Sequence, residues 1–442
     1  MELIVAIDTK NGMGYKNKMP WRCREELKIF NMKTKGATLL MGYNTAINLP
    51  PLPGRKILTL THTIPSQKVQ SSNNITFIKD LTDMTYTPNM FVAGGKKTYE
   101  ATILMVDKIH LSRMKTSYNC DTFFDTKLLR NFVIIEETDY DDFTHYVLIR
   151  TKHGEQQYLD LLDTILKNGE TCIGRNGPTK SLFVEHFCFD IRQGFPLLTT
   201  KKMFLRGILE EFLFFIRGNT DSKILSDNNV HIWDGNTTTE FIASRNLHYA
   251  EGVMGPMYGY QWRHFGAQYK LDEYNIPLPP SGGIDQLSQV IDLIKNDPNS
   301  RRIMMTSYNP SQADEGVLYP CHSITIQFYV KDDYLDMFCY NRSQDTFLGV
   351  PYNIASSSLL LMTVAKLTHK TPRYIKITMG DTHIYQNHMT QATEQTRRLS
   401  YKLPTLIIPE INTIKDLENC DTTDFILTEY KFHPTIKAEM VA

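Results

Sequence analysis

Tyr319-Pro320-Cys321-His322-Ser323 stands directly before a run of strand-forming residues, Ser323–Val330. After Lys331-Asp332-Asp333 a second run follows, Tyr334–Tyr340, so the pattern predicts a β-hairpin with a cysteine at the mouth of its first strand. A cysteine in that place, with arginines elsewhere to depress its pKa, is a candidate thiolate nucleophile. Taken alone, a cysteine beside a strand is more often a small apolar core residue. The residues around the hairpin therefore have to decide between the two interpretations.

Three further segments carry arginine beside small polar residues. Arg175-Asn176-Gly177 reads as a turn, Asn299-Ser300-Arg301-Arg302 precedes the predicted strand Ile303–Ser307, and Asn341-Arg342-Ser343 ends the hairpin. The planar guanidinium suits a phosphate group, so converging arginines predict a phosphate site. Each arginine alone is more often a surface ion-pair residue.

Two helices are indicated between these segments. Glu155–Lys167 has apolar residues on one side and is ended by Asn168-Gly169. Leu205–Arg217 is apolar nearly all round, which predicts a buried helix. Glu211 lies on that helix, where a carboxylate has few structural uses.

The first 150 residues alternate short β-rich runs with helical or loop stretches. Helix candidates lie at Arg24–Thr34 and Lys96–Met105, and the acidic turn Asp139–Asp142 joins the last two strands as a hairpin. This alternation favours an α/β sheet closed by an antiparallel edge hairpin. The strand candidates are Leu3–Asp8, Thr38–Gly42, Lys56–Thr61, Asn74–Lys79, Met90–Ala93, Lys108–Arg113, Phe132–Thr138 and Phe143–Arg150.

The composition limits the class of protein. A chain of 442 residues with 41% hydrophobic residues has material for two or three domains with buried cores. Lys plus Arg and Asp plus Glu both number 48, which gives no support to a nucleic-acid-binding or membrane-surface protein. The first eight residues read as a strand and not as a secretory signal, and no window approaches the roughly 18 apolar residues that span a bilayer.

The cysteines and histidines give no pattern typical of a metal site. Seven cysteines are scattered without a Cys-x-x-Cys pair, so neither a disulfide framework nor a zinc site is expected. His383 and His388 match no standard ligand spacing and have no third ligand nearby. These observations predict a reduced, cytoplasmic enzyme without a metal.

Five longer motifs, from about His153 to the last residue, resemble thymidylate synthase in the family's order and without large gaps. Their length and number make the resemblance highly specific. They are Gly194–Lys202 (GFPLLTTKK), Gly255–Arg263 (GPMYGYQWR), Pro320–His322 (PCH), Arg342–Asn353 (RSQDTFLGVPYN) and Gly380–Tyr385 (GDTHIY).

The resemblance implies a mechanism in which Cys321 adds to C6 of dUMP and C5 then attacks the methylene carbon of 5,10-methylenetetrahydrofolate. Glu211 would order water and move protons at the base, and Tyr258 would lie near the C5 proton; Asp345 is the fourth residue assigned to catalysis. In the family the Arg301/Arg302 pair reaches across from the other subunit, which implies a homodimer through the synthase domain. The residues implied to bind dUMP are Arg175, Arg301, Arg302, His322, Arg342, Ser343, Asn353, His383 and Tyr385. Folate contacts are implied for Trp233, Asp234 and the tail that ends at Ala442.

Asn353 matches the residue that reads the uracil edge. A side-chain amide donates and accepts at once, so it rejects cytosine by leaving polar groups unpaired. Two neighbours depart from the family: Asn341 stands where members usually carry Gln, and Gln344 where many carry Cys. Both are neutral polar exchanges, and we expect tuning of the site, not loss.

The first 150 residues carry thinner signals, which in their order resemble dihydrofolate reductase. A lone acid on a helix usually faces solvent, and Gly-Gly is also an ordinary turn, so only the combination is informative. The segments are Asn11–Gly14 followed by Pro20-Trp21, Glu26 on the first helix, Leu52–Lys56, and Phe91–Tyr99 with Gly94-Gly95.

The reductase resemblance implies that Glu26 recognises the pterin ring and promotes its protonation, and that Arg55 holds the folate glutamate. Val5, Ala6, Phe30 and Ser112 would line the folate pocket. The residues implied to bind NADPH are Gly14, Thr45, Thr61, His62, Gly94, Gly95 and Lys96. Two departures, Tyr43 for a basic residue and Ala46 for a common Trp, predict weaker cofactor binding, which Lys96, Lys97 or His62 would offset.

The expected fold is therefore a mixed-sheet α/β reductase-like domain over residues 1–150 and an α+β synthase domain over residues 151–442. Such a fusion makes chemical sense because the synthase oxidises its folate to dihydrofolate, which the reductase returns to tetrahydrofolate. Two alternatives remain at this stage. One is a monofunctional synthase with a silent reductase-like scaffold. The other is a cysteine hydrolase based on Cys321, which would need no arginine cluster.

Overall fold

The computed structural model describes residues 1–62, 75–151, 154–174 and 176–441. Contacts divide the chain into two compact units. The first unit comprises residues 1–152 together with 399–402, and the second comprises 153–398 together with 403–442. The domain boundary expected after residue 150 remains a prediction.

The first unit is built on a mixed sheet. In its described residues eight strands take the order β5-β4-β3-β6-β1-β7-β10-β9, parallel except that β10 runs antiparallel to both β7 and β9. The predicted sheet with an antiparallel edge hairpin is thus confirmed. The strands are β1 (Glu2–Ile7), β2 (Gly12–Gly14), β3 (Thr38–Gly42), β4 (Lys56–Leu60), β5 (Ile75–Ile78), β6 (Met90–Val92), β7 (Lys108–Met114), β8 (Thr122–Phe123), β9 (Phe132–Asp139) and β10 (Phe143–Arg150). The helices in these ranges are α1 (Arg24–Thr34), α2 (Tyr43–Asn48) and α3 (Lys96–Thr102).

The central strands of this sheet are buried on both faces, as expected when connections cross over a parallel sheet. Leu3, Leu39 and Leu111 are each 0% exposed. On α1, Glu26 and Ile29 are both buried because residues three apart share one face of a helix. The packing of α1 therefore carries a carboxylate into the interior of the unit.

A short segment from late in the chain completes the first unit. The N–H of Ile134 donates to the carbonyl of Ser400 at 2.9 Å. The hydroxyl of Tyr401 donates to Glu137 at 2.8 Å, and the Tyr401 ring belongs to the apolar core of this unit. No sequence pattern indicated this addition.

The second unit combines a sheet with helices. Its described residues form a six-stranded sheet in the order β11-β12-β16-β15-β14-β13, and a separate pair, β17-β18. The strands are β11 (Glu170–Gly174), β12 (Gly177–Asp190), β13 (Met304–Thr306), β14 (Thr325–Lys331), β15 (Tyr334–Asp345), β16 (Thr371–Tyr385), β17 (Thr405–Ile407) and β18 (Ile426–Thr428). The helices in these ranges are α4 (Glu155–Asn168), α5 (Leu205–Ile216), α6 (Lys223–Asp227), α7 (Thr239–Ser244), α8 (Gly259–His264), α9 (Gln286–Asn296), α10 (Gly349–Leu367), α11 (Met389–Gln395) and α12 (Ile414–Asn419).

The predicted hairpin is present, but its second strand ends later than expected. β15 continues past Tyr340 to Asp345, because β16 pairs with it in parallel as far as Asp345 opposite His383. Arg342 and Ser343 therefore lie inside the strand and not after it. The buried helix predicted at Leu205–Arg217 is confirmed as α5, and α10 is buried over most of its surface.

Two searches of the described ranges found nothing. None of their helices has the length and apolar character that a bilayer crossing requires. Within the same ranges no three His, Cys, Asp or Glu side chains are grouped so as to hold a metal ion.

Candidate active sites of the two units

Cys321 lies in the turn before β14, in contact with a tyrosine from the start of α8. Its backbone N–H donates to the Tyr258 hydroxyl at 3.1 Å, and its Sγ lies 3.4 Å from the same oxygen. Because that oxygen accepts from the backbone, its own proton is available for the sulfur. The structure therefore gives the candidate nucleophile one hydrogen-bond donor.

Tyr258 is held by a column of aromatic rings. It stacks on Phe215 of α5 at 5.1 Å and on His322 at 4.5 Å, and the edge of Trp233 packs at 5.9 Å. Its φ of 41° falls in the left-handed region that side chains rarely adopt. Strained backbone at a non-glycine residue persists where the surroundings fix it. This packing fixes the position of the hydroxyl beside Cys321.

Glu211 faces the same aromatic cluster from α5. The indole N–H of Trp233 donates to its Oε1 at 2.9 Å. Burial raises the pKa of Glu211 to about 7, although the indole hydrogen bond opposes the rise. A carboxyl group with a pKa near neutrality can both give and take a proton at physiological pH.

The expected depression of the Cys321 pKa is not found in the isolated chain. Burial raises the pKa of this thiol, and it outweighs the Tyr258 hydrogen bond and the charge of Arg342, which both lower it. Sequence shows charges but not the burial that opposes them. His322 beside it is neutral near pH 7, because burial lowers its pKa to about 4.

Two further residues assigned to dUMP lie at the end of β16. His383 is paired through Nδ1 with Asp381 at 2.6 Å, and the edge of the Tyr385 ring packs against it at 5.1 Å. Because β16 pairs with β15, His383 lies opposite Asp345. Asp345 accepts the backbone N–H groups of Phe347 and Leu348 at 3.0 and 3.1 Å, so it caps the entry to α10.

The arginines are not all brought together. Arg342 lies on β15, where its Nε donates to the carbonyl of Pro320 at 3.3 Å, one residue before the nucleophile. Arg301 and Arg302 lie in the exposed turn before β13, and their guanidinium groups make no hydrogen bond or ion pair to another described residue. Arg175 and Ala442, also predicted for the site, lie outside the described residues.

Trp233 and Asp234, predicted to contact folate, differ in exposure. Trp233 is buried in the aromatic cluster, whereas Asp234 is exposed and accepts from Ser226 and pairs with His231, both at 2.8 Å. The two residues follow each other at the end of the segment after α6, so only the indole reaches the cluster around Glu211.

A buried lysine was not singled out from the sequence. The Nζ of Lys201 donates to the carbonyl of Phe347 at 2.6 Å and lies 3.9 Å from the centre of that ring. Burial lowers its pKa to about 7. It borders a cleft of about 770 Å³ that Leu348, Tyr352 and Ile436 also line. Its only signal in the sequence was membership of the motif 194–202.

In the first unit Glu26 is the clearest candidate. It is 6% exposed, and burial raises its pKa to about 7. Ala6 and Ser112, predicted to line the same pocket, are paired neighbours on β1 and β7, and Val5 is buried beside them. The Ser112 hydroxyl lies 3.2 Å from Nδ1 of His145, a partner that the sequence did not indicate.

Arg55 is a buried cation surrounded by neutral groups. Its guanidinium donates to Thr34 at 2.9 Å, to the Asn31 side chain at 2.9 Å and to the Pro53 carbonyl at 3.2 Å. The Phe30 ring lies 5.8 Å from it. Among the described residues it forms no salt bridge, so its charge is available to a carboxylate ligand.

The two glycines before α3 lie close to a threonine of α2. A Cβ on Gly94 would come within 3.1 Å of the Thr45 Cγ2, and one on Gly95 within 3.0 Å of its Oγ1. Gly94 also has a φ of 120°, which other residues rarely adopt. The backbone is therefore left open here for a close approach. Lys96 is exposed and pairs only loosely with Glu100, at 4.0 Å.

The remaining residues predicted for the cofactor are less informative. Gly14 lies on β2, and a Cβ there would meet Thr122 at an ordinary 3.6 Å. Thr61 continues the edge of the sheet through its N–H to Ile78, and His62 is exposed where the described range ends.

Comparisons with known proteins agree with both halves. The profile described as dihydrofolate reductase matches residues 1–151, and that described as thymidylate synthase matches residues 156–442. A bifunctional dihydrofolate reductase-thymidylate synthase of Paramecium tetraurelia is 35% identical, with 99% of this chain and 98% of that protein covered. The proteins of the same description from Leishmania major and Zea mays are each 33% identical, with 99% of this chain covered and 94% and 96% of theirs.

The chain belongs to the bifunctional dihydrofolate reductase–thymidylate synthase family. It therefore has both dihydrofolate reductase and thymidylate synthase activity, and the monofunctional alternative is not favoured. The cysteine-hydrolase hypothesis has no support from these matches. From here the two units are called the reductase unit and the synthase unit.

Proposed function

We propose that Cys321 is the nucleophile of the synthase unit and that its Sγ bonds to C6 of dUMP. The observation that carries this is the contact of 3.4 Å between Sγ and the fixed Tyr258 hydroxyl. The folate 5,10-methylenetetrahydrofolate supplies the methylene carbon and a hydride, and leaves as dihydrofolate. Glu211 serves as the proton carrier at the base, because its pKa of about 7 suits transfer in both directions.

We propose that the nucleotide is bound by residues on β15, β16 and α10. Arg342 and Ser343 hold the phosphate, together with Arg175, and His383 and Tyr385 hold the sugar hydroxyl. Asn353 reads the base. The cleft beside Lys201 would take the folate, between the aromatic cluster and the tail that His388 fixes through its 2.7 Å hydrogen bond to the carbonyl of Glu439.

In the reductase unit we propose that Glu26 binds the pterin and supports its protonation, with Arg55 on the glutamate tail. NADPH supplies the hydride when bound. Gly94, Gly95 and Thr45 fit its pyrophosphate, because the absence of side chains on both glycines leaves room at the N-terminal end of α3. The proposed reductase domain covers residues 1–150 and the synthase domain residues 151–442.

We propose a homodimer through the synthase sheet. Its outer face carries exposed apolar side chains on neighbouring strands: Phe183 is 80% exposed, Tyr329 60%, Val184 53% and Met304 49%. An apolar face spread over several strands is typical of a subunit interface. A partner on this face would also explain Arg301 and Arg302, since exposed arginines at its edge can reach a neighbouring site.

A reducing compartment such as the cytoplasm is proposed for the enzyme. Cys172 and Cys188 are exposed thiols without disulfide partners, and exposed thiols persist where disulfides are kept reduced.

The proposal is tested by assaying both reactions on one preparation. NADPH oxidation is followed on addition of dihydrofolate, and dTMP formation on addition of dUMP and 5,10-methylenetetrahydrofolate. Cys321→Ser should abolish dTMP formation and leave NADPH oxidation intact, whereas Glu26→Gln should do the reverse. If Cys321→Ser still forms dTMP at the unmodified rate, the proposed nucleophile is wrong.

A further inference from the structure

Three side-chain amides meet beside the proposed nucleophile. Asn341 and Gln344 lie on β15 and are each 1% exposed, and Asn353 lies near the start of α10. The Nδ2 of Asn341 donates to Oε1 of Gln344 at 3.3 Å, and the Nδ2 of Asn353 donates to the same oxygen at 2.9 Å. Asn341 and Gln344 are the two positions at which this chain departs from the synthase motif.

Backbone groups at both ends fix the direction of this network. The N–H of Ser323 donates to Oδ1 of Asn341 at 2.8 Å, so the Asn341 amide must turn its nitrogen towards Gln344. The Nε2 of Gln344 donates to the Ser343 carbonyl at 2.7 Å and, more weakly, points at the Cys321 carbonyl at 3.5 Å. A reversed Gln344 amide would place its oxygen against these carbonyl oxygens, which repel it. Oε1 of Gln344 is therefore an acceptor in one direction only.

We infer that Gln344 is a positioning residue that locks the Asn353 amide in one of its two orientations and so sets the choice between uracil and cytosine. This rests on the proposed role of Asn353 as the reader of the base. Since Oε1 of Gln344 only accepts, Asn353 has to present its nitrogen to it. The Oδ1 and the second N–H of Asn353 then face a ligand in a fixed order.

The order matters because the two bases are opposite at this edge. Uracil has a donor at N3 and an acceptor at O4, whereas cytosine has an acceptor at N3 and a donor at N4. A free amide turns by half a revolution and serves either base, so it discriminates poorly. A locked amide serves only one of them, and the other leaves buried polar groups unpaired.

The test is Gln344→Met, which keeps the length of the side chain and removes the amide. We measure kcat/KM for dUMP and the inhibition constant of dCMP competing with dUMP, which needs no turnover of dCMP. The variant should shift the affinity ratio towards dCMP by about tenfold, the value of one lost hydrogen bond. Gln344→Glu keeps an acceptor facing Asn353 and should retain the discrimination of the natural enzyme. Gln344→Leu serves if the methionine variant does not fold.

Thr346→Val is the matched control. Its hydroxyl is fully buried two residues further on and has no hydrogen-bond partner among the described residues, so the ratio should not change. In an Asn353→Ala background, Gln344→Met should add no further change in the ratio. Equal weakening of dUMP and dCMP by Gln344→Met would overturn the inference and leave the proposed function standing. If the natural enzyme forms no dTMP, the proposed function itself fails and the inference with it.

Discussion

Glu26 and Glu211, one in each unit, are carboxyl groups whose pKa burial raises to about 7. An ordinary glutamate is ionised at neutral pH and cannot donate a proton there. Their positions differ in one respect: Glu211 has an indole donor, whereas desolvation is the one cause of the shift at Glu26. Both groups are therefore tuned for proton transfer by the apolar residues packed around them.

The pH dependence of the reductase reaction follows from Glu26. Its pKa in the folded chain, about 7, lies above the usual 4.5, so the neutral acid predominates below pH 7 and is lost as the pH rises through that value. We expect kcat/KM for dihydrofolate to fall above about pH 7. Glu26→Gln should lower the rate at all pH values and remove this inflection. An unchanged inflection in the variant would assign the titration to another group.

Tyr258→Phe tests the contact with the nucleophile. Without the hydroxyl, Cys321 loses the donor that lowers its pKa, so fewer thiolates form at a given pH. The rate of iodoacetamide labelling of the Cys321 peptide at pH 8 should fall by about tenfold, corresponding to one hydrogen bond. The labelling of Cys172, an exposed thiol, is the internal control. Equal labelling of Cys321 in both proteins would show that the hydroxyl does not activate the thiol.

Sequence was informative about which residues form the sites and less so about their environment. The pattern around Glu211 predicted a buried helix, and burial is what raises its pKa. The charge pattern near Cys321 predicted a lowered pKa, but desolvation, which depends on the whole fold, acts in the opposite direction and is stronger. The buried Lys201 and the hydrogen bond from Ser112 to His145 arise from packing between distant segments, for which a sequence has no local signal.

At the scale of elements, α4 is joined to the loop that carries Lys201 through one carboxylate. Glu155 is 1% exposed and accepts from both the backbone N–H and the hydroxyl of Thr199 and of Thr200, at 2.7 to 3.0 Å. Gln395 of α11 donates to the Thr200 hydroxyl at 2.9 Å and so extends the connection. The loop next to the cleft is therefore held by buried hydrogen bonds.

Glu155→Gln should destabilise the synthase unit. The amide nitrogen would face N–H and O–H donors, so buried donors lose their acceptor at a cost of about 3 kcal/mol. The measurement is the urea midpoint of dTMP formation. Asp163→Asn on the same helix, which removes only an exposed ion pair with Lys167, is the control and should change stability by less than about 0.5 kcal/mol. Similar midpoints for the two variants would contradict the structural role of Glu155.

The limits of α1 and α5 could be read closely from sequence because both the apolar spacing and the end signals are local. The end of β15 could not, since it depends on β16, a strand that begins 26 residues later in the chain. Parallel pairing of this kind is set by tertiary contacts.

For the whole molecule, the proposed dimer can be tested on the exposed sheet face. Phe183→Asp and Tyr329→Asp place charges in the proposed interface and should give monomers in sedimentation analysis, with loss of dTMP formation and retention of NADPH oxidation. Tyr274→Asp is the control, because Tyr274 is 69% exposed but lies outside the six-stranded sheet. A dimer that persists in both interface variants would exclude this face.

Shared sites predict complementation between inactive subunits. Cys321→Ala and Arg302→Ala are each expected to be inactive in dTMP formation. If Arg302 serves the partner's site, random mixing of the two should restore about a quarter of the natural activity, since half of the dimers carry one intact site each. No recovery on mixing, with exchange of subunits verified, would mean that Arg302 acts within its own chain.

The segment 399–402 bears on how the polypeptide is made. A ribosome finishes the first 152 residues long before it reaches Tyr401, yet the Tyr401 ring is part of the core of the reductase unit and Ser400 pairs with Ile134. Domains generally fold in the order of their synthesis. Here the unit that is made first lacks a piece of its interior until most of the remaining chain has been translated, so a nascent chain halted before residue 399 carries an incomplete reductase.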